Sequence, residues 1–163
     1  MTTYLLDANI FIQAKNLHYG MDFCPAFWDW LVEQNEREKV FSIEKVEDEL
    51  IAGSDKLSEW AKELSGKFFL RPDGRVVNGL MRISEWVYKQ DYEPVAVNTF
   101  LQVADYYLIA HALSHQYAVV THERPDNGKR KIKIPNVCIP MNIKCMSPYE
   151  MLRVERARFV LGA

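Results

Sequence analysis

The chain has 163 residues, 48% of them hydrophobic and 26% charged, with a formal net charge of −2. That length and composition suit one globular domain over residues 1–163 and exclude a disordered or fibrous chain. A charge so near zero excludes a global basic field for nucleic acid, so any such partner must be held by a local patch. The apolar runs are too short to span a bilayer, and Asp7 and Lys15 break any signal-peptide pattern at the N-terminus. Cys24, Cys138 and Cys145 are odd in number and form no C-x-x-C pair, which reads as reduced thiols in a cytoplasmic protein.

Tyr4-Leu5-Leu6 is an apolar run that reads as a strand buried on both faces, as in a parallel sheet. Asp7 follows where the strand should end, at the sheet edge where open α/β folds place ligands. Asn9 adds a neutral oxygen ligand or hydrogen-bond donor, and Ile10 to Ile12 bury the chain again. The plainer role for Asp7 is to cap a helix starting at Ala8 or Asn9. Gln13 to Phe23 is polar and reads as irregular. Pro25 to Glu38 reads as a helix with proline in its first turn, and Val40 to Ile43 as a second strand. Glu44 to Ala52 is expected to be helical, stopping at Gly53. Val46, Glu49 and Leu50 share a face there, while Glu44, Glu47 and Asp48 read as solvated surface.

Further helices are expected over Asp55 to Leu64 and Val76 to Tyr88, the latter presenting Val77, Leu80, Met81, Ser84 and Val87 on one face. Phe68 to Leu70 is a brief extended piece between them. Pro94 to Thr99 begins the next helical region. The plainest helical pattern runs from Leu101 to His115, with Leu101, Ala104, Leu108, Ile109 and Ala112 on its apolar face. Asp105 lies in that stripe, where an unpaired carboxylate is costly, so it needs a cation or a salt bridge to an arginine or lysine. Tyr117 to Thr121 is a third strand, followed by His122 and Glu123. Arg124 to Lys133 is a polar loop carrying Lys129, Arg130, Lys131 and Lys133. Val137 to Ile139 reads as a fourth strand. Ser147, Pro148 and Glu150 form a capping box for a last helix packed through Met151, Leu152, Val154 and Phe159. Strands alternating with helices imply an α/β fold, three layers α/β/α around a mostly parallel sheet.

Asp7, Glu49, Asp105 and Glu123 occupy equivalent places, just beyond strands or on the helices beside them. They can converge on one end of the sheet, where their mutual repulsion calls for divalent cations. An oxygen-only ligand set favours Mg²⁺ or Mn²⁺ over zinc. Such ions activate water and stabilise a leaving oxygen, which points to phosphodiester hydrolysis.

The motifs Leu5-Leu6-Asp7-Ala8-Asn9, Ser42-x-x-x-Val46-x-x-Glu49-Leu50, Ala104-Asp105-x-x-Leu108-Ile109-Ala110 and Val119-Val120-Thr121-His122-Glu123 stand in this order across nearly the whole chain. In order and spacing the chain resembles the PIN domain family, metal-dependent nucleases found as toxins of bacterial and archaeal toxin–antitoxin pairs. The resemblance implies a ribonuclease using Mg²⁺ or Mn²⁺, with Asp7, Glu49, Asp105 and Glu123 as metal ligands and Asn9 and Thr121 in support. It also implies an RNA substrate, a homodimer and a small antitoxin partner. Two features depart from the family pattern. Glu123 stands where aspartate is usual, and the loop from Arg124 to Lys133 is longer than in the usual toxins. The sequence therefore resembles a poorly characterised branch of the family.

Other readings fit less well. A module of this fold that only binds RNA or a protein partner would have no need of all four acids. His111 and His115 have zinc-compatible spacing but lack the glutamate of an HEXXH motif. Asp7-Ala8-Asn9 lacks the second aspartate of a phosphoaspartyl phosphatase. Lys129, Arg130, Lys131 and Lys133 are candidates for contacts to RNA phosphates or, alternatively, a solvated loop. Trp28, Trp30, Trp60 and Trp86 sit at helical apolar spacing and read as core or dimer surface.

Overall fold

In the computed structural model, which describes residues 1–162, Tyr4–Leu6 forms β1 and is wholly buried. A three-residue strand is hidden on all sides only if other strands flank it and helices cover both faces. β1 pairs in parallel with β2 (Val40–Ile43) and β4 (Ala118–Val120). β2 pairs with β3 (Phe69–Leu70), and β4 with β5 (Cys145–Met146), again in parallel. The sheet therefore runs β3-β2-β1-β4-β5, and its register sets Leu6 opposite Val120. All the C-terminal strand ends lie along one edge.

Helices supply the outer layers of the α/β/α fold. They are α1 (Ala8–Gln13), α2 (Pro25–Glu36), α3 (Glu44–Ile51), α4 (Lys56–Glu63), α5 (Gly74–Lys89), α6 (Pro94–Phe100), α7 (Ala104–His115), α8 (Ile134–Cys138) and α9 (Pro148–Val154). α1 runs into a π-helical turn over Ala14–His18. Phe11, Trp28, Trp60, Phe68 and Phe69 interlock by edge-to-face and tilted contacts on one side of the sheet. Such geometries suit the quadrupoles of aromatic rings. α5 lies against α7, and the Tyr106 hydroxyl donates to the Leu80 carbonyl at 2.7 Å. The three cysteines are unpaired, as expected. Among the described residues no helix is long and apolar enough to cross a membrane.

Several local readings need correction. Val137 to Ile139 is not a strand. Pro135 stands in the first turn of α8, and Ile134, Val137 and Cys138 are buried at i, i+3, i+4, a helical pattern in a run too short to declare its period. The fifth strand is Cys145–Met146 instead. Gln13 to Phe23 is helical as far as His18, and the helix carrying Asp105 begins at Ala104, not Leu101. On α5 the buried residues are Val76, Gly79, Ile83 and Val87; of the expected face Val87 is buried as expected, while Val77 and Met81 are 54% and 56% exposed and the burial at the other turns falls one position earlier. Glu47, expected in solvent, is only 9% exposed and one carboxylate oxygen has no partner. The Ser147 cap forms as expected, its hydroxyl accepting the Glu150 N–H at 3.2 Å. Val154 is exposed, and Phe159 packs beyond the helix against Tyr19 and Phe27.

Candidate active site

Asp7 stays in the sheet after β1 has ended, because its N–H donates to the Val120 carbonyl at 3.0 Å. It occupies the N-cap position of α1, yet its side chain caps nothing. Instead Asp7 Oδ2 accepts a 2.8 Å hydrogen bond from Thr121 Oγ1, across the β1–β4 ladder. Thr121 is placed by its own N–H, which donates to the Met146 carbonyl at 3.0 Å. Its hydroxyl oxygen accepts the Glu123 N–H at 3.1 Å and Asn9 Nδ2 at 3.4 Å, so its one proton goes to Asp7. Asn9 Oδ1 in turn accepts the His122 N–H at 3.3 Å. Asp7, Asn9, Thr121 and the backbone of Glu123 are thereby one rigid unit.

Asp105 enters from the first turn of α7. Burial, followed by the charge of Asp105, pushes the Asp7 carboxyl up to about 7 despite the Thr121 hydrogen bond. Burial and then the charges of Glu123 and Glu49 push Asp105 up to about 6. Among the described residues neither Asp7 nor Asp105 forms an ion pair. Lys131 offsets the rise at Asp105 only in part and Asp7 has no such counter-charge, so burial and mutual repulsion prevail at both.

Glu123 is held differently. One oxygen accepts the Ile134 N–H, the first residue of α8, at 2.8 Å, and the other lies 3.6 Å from Lys131 Nζ. It is therefore anchored rather than free to swing. Glu49 stands at the open rim, on α3, with its carboxyl raised by partial burial. It shares with Asp105 a cleft of about 290 Å³ whose far wall is Phe100, Val103, Arg130 and Lys131. The basic loop is engaged with acids: Lys129 with Asp91 at 2.8 Å, Arg130 with Glu93 at 3.8 Å, Lys133 with Asp126 at 3.7 Å. Of the four, Arg130 and Lys131 line the cleft that holds the carboxylates.

The donor set fits a hard divalent cation. It is all oxygen, and its buried member, Asp7, has no basic partner. It is open as it stands: among the described residues no three His, Cys, Asp or Glu side chains lie close enough together to hold a metal ion. The His111–His115 pair does not supply such a group either. His111 is buried with both ring nitrogens unpartnered, and His115 Nε2 lies 2.9 Å from Asp73.

Two features escaped the sequence. The Ile134 N–H that fixes Glu123 depends on α8, whose helical character was not apparent. Beyond Glu123, the rings of His18, His122 and Tyr149 also meet, and no periodicity links positions so far apart.

Over residues 4–159 the chain matches a family model described as a domain of unknown function, DUF4411. No curated protein matches it. Among solved structures it is similar to a chain of VapBC2 from Rickettsia felis, crystallised bound to a DNA fragment from their promoter. The two are 16% identical with a TM-score of 0.56, and the match covers 90% of this chain and 98% of the other. At that identity the likeness establishes the fold, which is PIN-like.

Proposed function

The chain belongs to the DUF4411 family, and from that footing we propose that it is a metal-dependent endoribonuclease, the toxin of a toxin–antitoxin pair. The observation that carries this reading is the approach of Asp7, buried, and Asp105, half-buried, at the C-terminal edge of a parallel sheet, with no ion pair to either among the described residues. A carboxylate pair kept only for stability would be replaced by, or matched with, a cation of the protein itself. The PIN-like fold supports the same reading. Asp7, Glu49, Asp105 and Glu123 would hold Mg²⁺ or Mn²⁺. When bound, such an ion supplies an activated water and charge neutralisation at the phosphate.

The chain's own residues then have distinct tasks. Thr121 fixes the Asp7 carboxylate by its hydroxyl, and Asn9 fixes Thr121 and the His122 backbone. Ile134 N–H and Lys131 hold Glu123 facing the site. Arg130 and Lys131 bring positive charge to the cleft wall, where an RNA phosphate would otherwise meet only carboxylates. A small antitoxin and a second copy of the chain are the proposed protein partners, and Val77, Met81 and Tyr88 leave apolar surface on the outer side of α5 for one of them.

The test is cleavage of a mixed-sequence RNA with Mg²⁺, Mn²⁺ or EDTA. Asp7→Asn and Asp105→Asn should each abolish metal-dependent cleavage with the fold intact by circular dichroism. Undiminished cleavage by both variants would remove the site assignment. For the toxin role, induced expression should arrest growth, and Asp105→Asn should relieve the arrest.

A second reading, a PIN-like module that binds RNA or a protein without cleaving, is favoured by one observation: Glu123 is already satisfied by Ile134 and Lys131. A calorimetric metal titration separates the two, since only the enzyme requires divalent ions.

A further inference from the structure

His18, His122 and Tyr149 come from the π-helical turn after α1, the residue after Thr121 and the first turn of α9. Their ring centroids lie 5.5 Å apart for His18–His122, 5.8 Å for His18–Tyr149 and 5.9 Å for His122–Tyr149. The Tyr149 hydroxyl is 3.1 Å from His18 Nε2. The cluster is not core. Both histidines are half-buried, and Tyr149 is 37% exposed. It is nonetheless fixed in place, because the His122 N–H is held by Asn9 and His122 immediately precedes Glu123.

His122 and Tyr149 border a cleft of about 370 Å³. Thr121 and Glu123 line that cleft, so it adjoins the candidate site at Glu123. Ile139 and Met146 give it apolar walls, and Arg124 and Glu150 bring charges of opposite sign to its rim. Its volume is in the range of small-ligand sites. The first cleft, with Arg130 and Lys131, lies on the Asp105 and Glu49 side. Glu49 and Asp105 thus line a basic cleft, and Glu123 an aromatic, partly apolar one. A nucleic-acid strand presents charged phosphates and flat bases in alternation, and aromatic rings beside a phosphate track are how single strands are held through their bases.

We infer that the cleft beside His122 and Tyr149 is a nucleobase subsite, in which the Tyr149 ring stacks the base next to the scissile phosphate, the His122 ring, inclined to it, meets the edge of that base, and His18 positions Tyr149 through its hydroxyl. The inference rests on the ribonuclease reading above. It adds to that reading a recognition element for the base, where the acids and basic residues recognise only the backbone.

The test uses the full chain with Asp105→Asn as background, so that nothing is cleaved during the measurement. Fluorescence anisotropy compares a labelled RNA pentanucleotide with the same oligomer carrying one abasic site at each position in turn. One position should weaken binding by roughly tenfold or more when its base is removed. Adding Tyr149→Ala should weaken binding of the intact oligomer by a similar factor and erase the penalty at that position alone. Tyr149→Trp should restore the penalty, which shows that a ring is needed rather than a fold intact at α9. His18→Ala should reduce the penalty at the same position. Equal weakening of intact and abasic oligomers by Tyr149→Ala would overturn the subsite and point to a protein segment as the occupant. So would the absence of any position-specific penalty. The two readings fail separately: an abasic penalty without RNA cleavage by the wild type removes the enzyme but not the base subsite. Cleavage without a penalty does the reverse.

Discussion

Asp7 has one hydrogen-bond donor from a side chain, Thr121, and two carboxylates for neighbours, and it is only 5% exposed. That balance makes it a cost to the metal-free fold. The folded protein keeps the Asp7 proton up to about 7, whereas the unfolded chain releases it near the ordinary aspartate value of 3.8. Between those values the native state binds more protons, so metal-free stability falls as pH rises from about 4 to about 7 and then levels off. Asp105, raised to about 6, adds a slope of the same sign. Asn at position 7 retains an oxygen for the Thr121 hydroxyl and removes the charge. In EDTA at pH 7.5, Asp7→Asn should therefore be more stable than wild type by roughly 1–3 kcal/mol, with a flatter pH profile. Mg²⁺ should stabilise the wild type and not the variant. Urea unfolding at pH 5, 6 and 7.5 checks this, and a variant less stable than wild type at every pH would show that Asp7 is matched by a charge inside the fold. Glu123 differs in kind. Its extra methylene places an oxygen on the Ile134 N–H, so glutamate here reads as an anchored side chain and not as a loosened aspartate.

At the scale of elements, the position of Asp105 depends on how closely α7 approaches α5. Gly79 is where they touch. A Cβ there would run into the Ser114 hydroxyl and lie 2.7 Å from the Ala110 carbonyl oxygen. Ser114 cannot simply turn away, because its hydroxyl donates to the Arg75 carbonyl at 2.9 Å. Alanine favours a helix over glycine by about 0.5–1 kcal/mol, but overpacking against backbone costs about 1–3 kcal/mol, so the clash prevails. Gly79→Ala should lower stability by about 1–2 kcal/mol in urea unfolding and also reduce cleavage, since α7 carries Asp105. A gain in stability would show that the two helices part easily. Gly79 also explains why the sequence misplaced the buried face of α5. A residue without a side chain sends no apolar signal, whereas Val77 and Met81 sent a strong one from the solvent side. β1 and β4 were legible because their apolar runs are unbroken, and β2 because only the small Ser42 interrupts its β-branched and aromatic residues. β5 was not, because two residues carry no period, and its place is set by pairing with Val119 and Val120. The places of the four acids, Asp7 and Glu123 shortly after strands and Glu49 and Asp105 on helices, were legible from position alone. Their hydrogen-bond partners were not, since Thr121 and Asp7 are 114 residues apart in sequence and meet only through the sheet.

At the scale of the whole molecule, a net charge of −2 conceals an uneven distribution. The loop from Arg124 to Lys133 carries five basic residues against one acid, Asp126, and its Arg130 and Lys131 line the cleft with Glu49 and Asp105. Its members differ in how free they are to meet RNA. Lys129 is paired with Asp91 at 2.8 Å and lies over the Tyr92 ring, so it ties the loop to the segment before α6. Lys131 is 3.6 Å from Glu123, faces the carboxylate cleft, and is 70% exposed. If RNA phosphates enter that cleft, counterion release will be charged to Lys131 and not to Lys129. On a single strand, each phosphate that the protein ceases to neutralise lowers the slope of log affinity against log salt by roughly 0.7. Lys131→Glu should reduce the slope by about that amount or more and weaken binding most at low salt. Lys129→Glu, at a residue already paired with Asp91, should change both the affinity and the slope much less. Anisotropy titrations of a short RNA over a range of salt concentrations measure both variants against wild type. Equal slopes in all three proteins would show that the basic loop does not touch the RNA backbone and serves only to hold Glu123 and α6 in place.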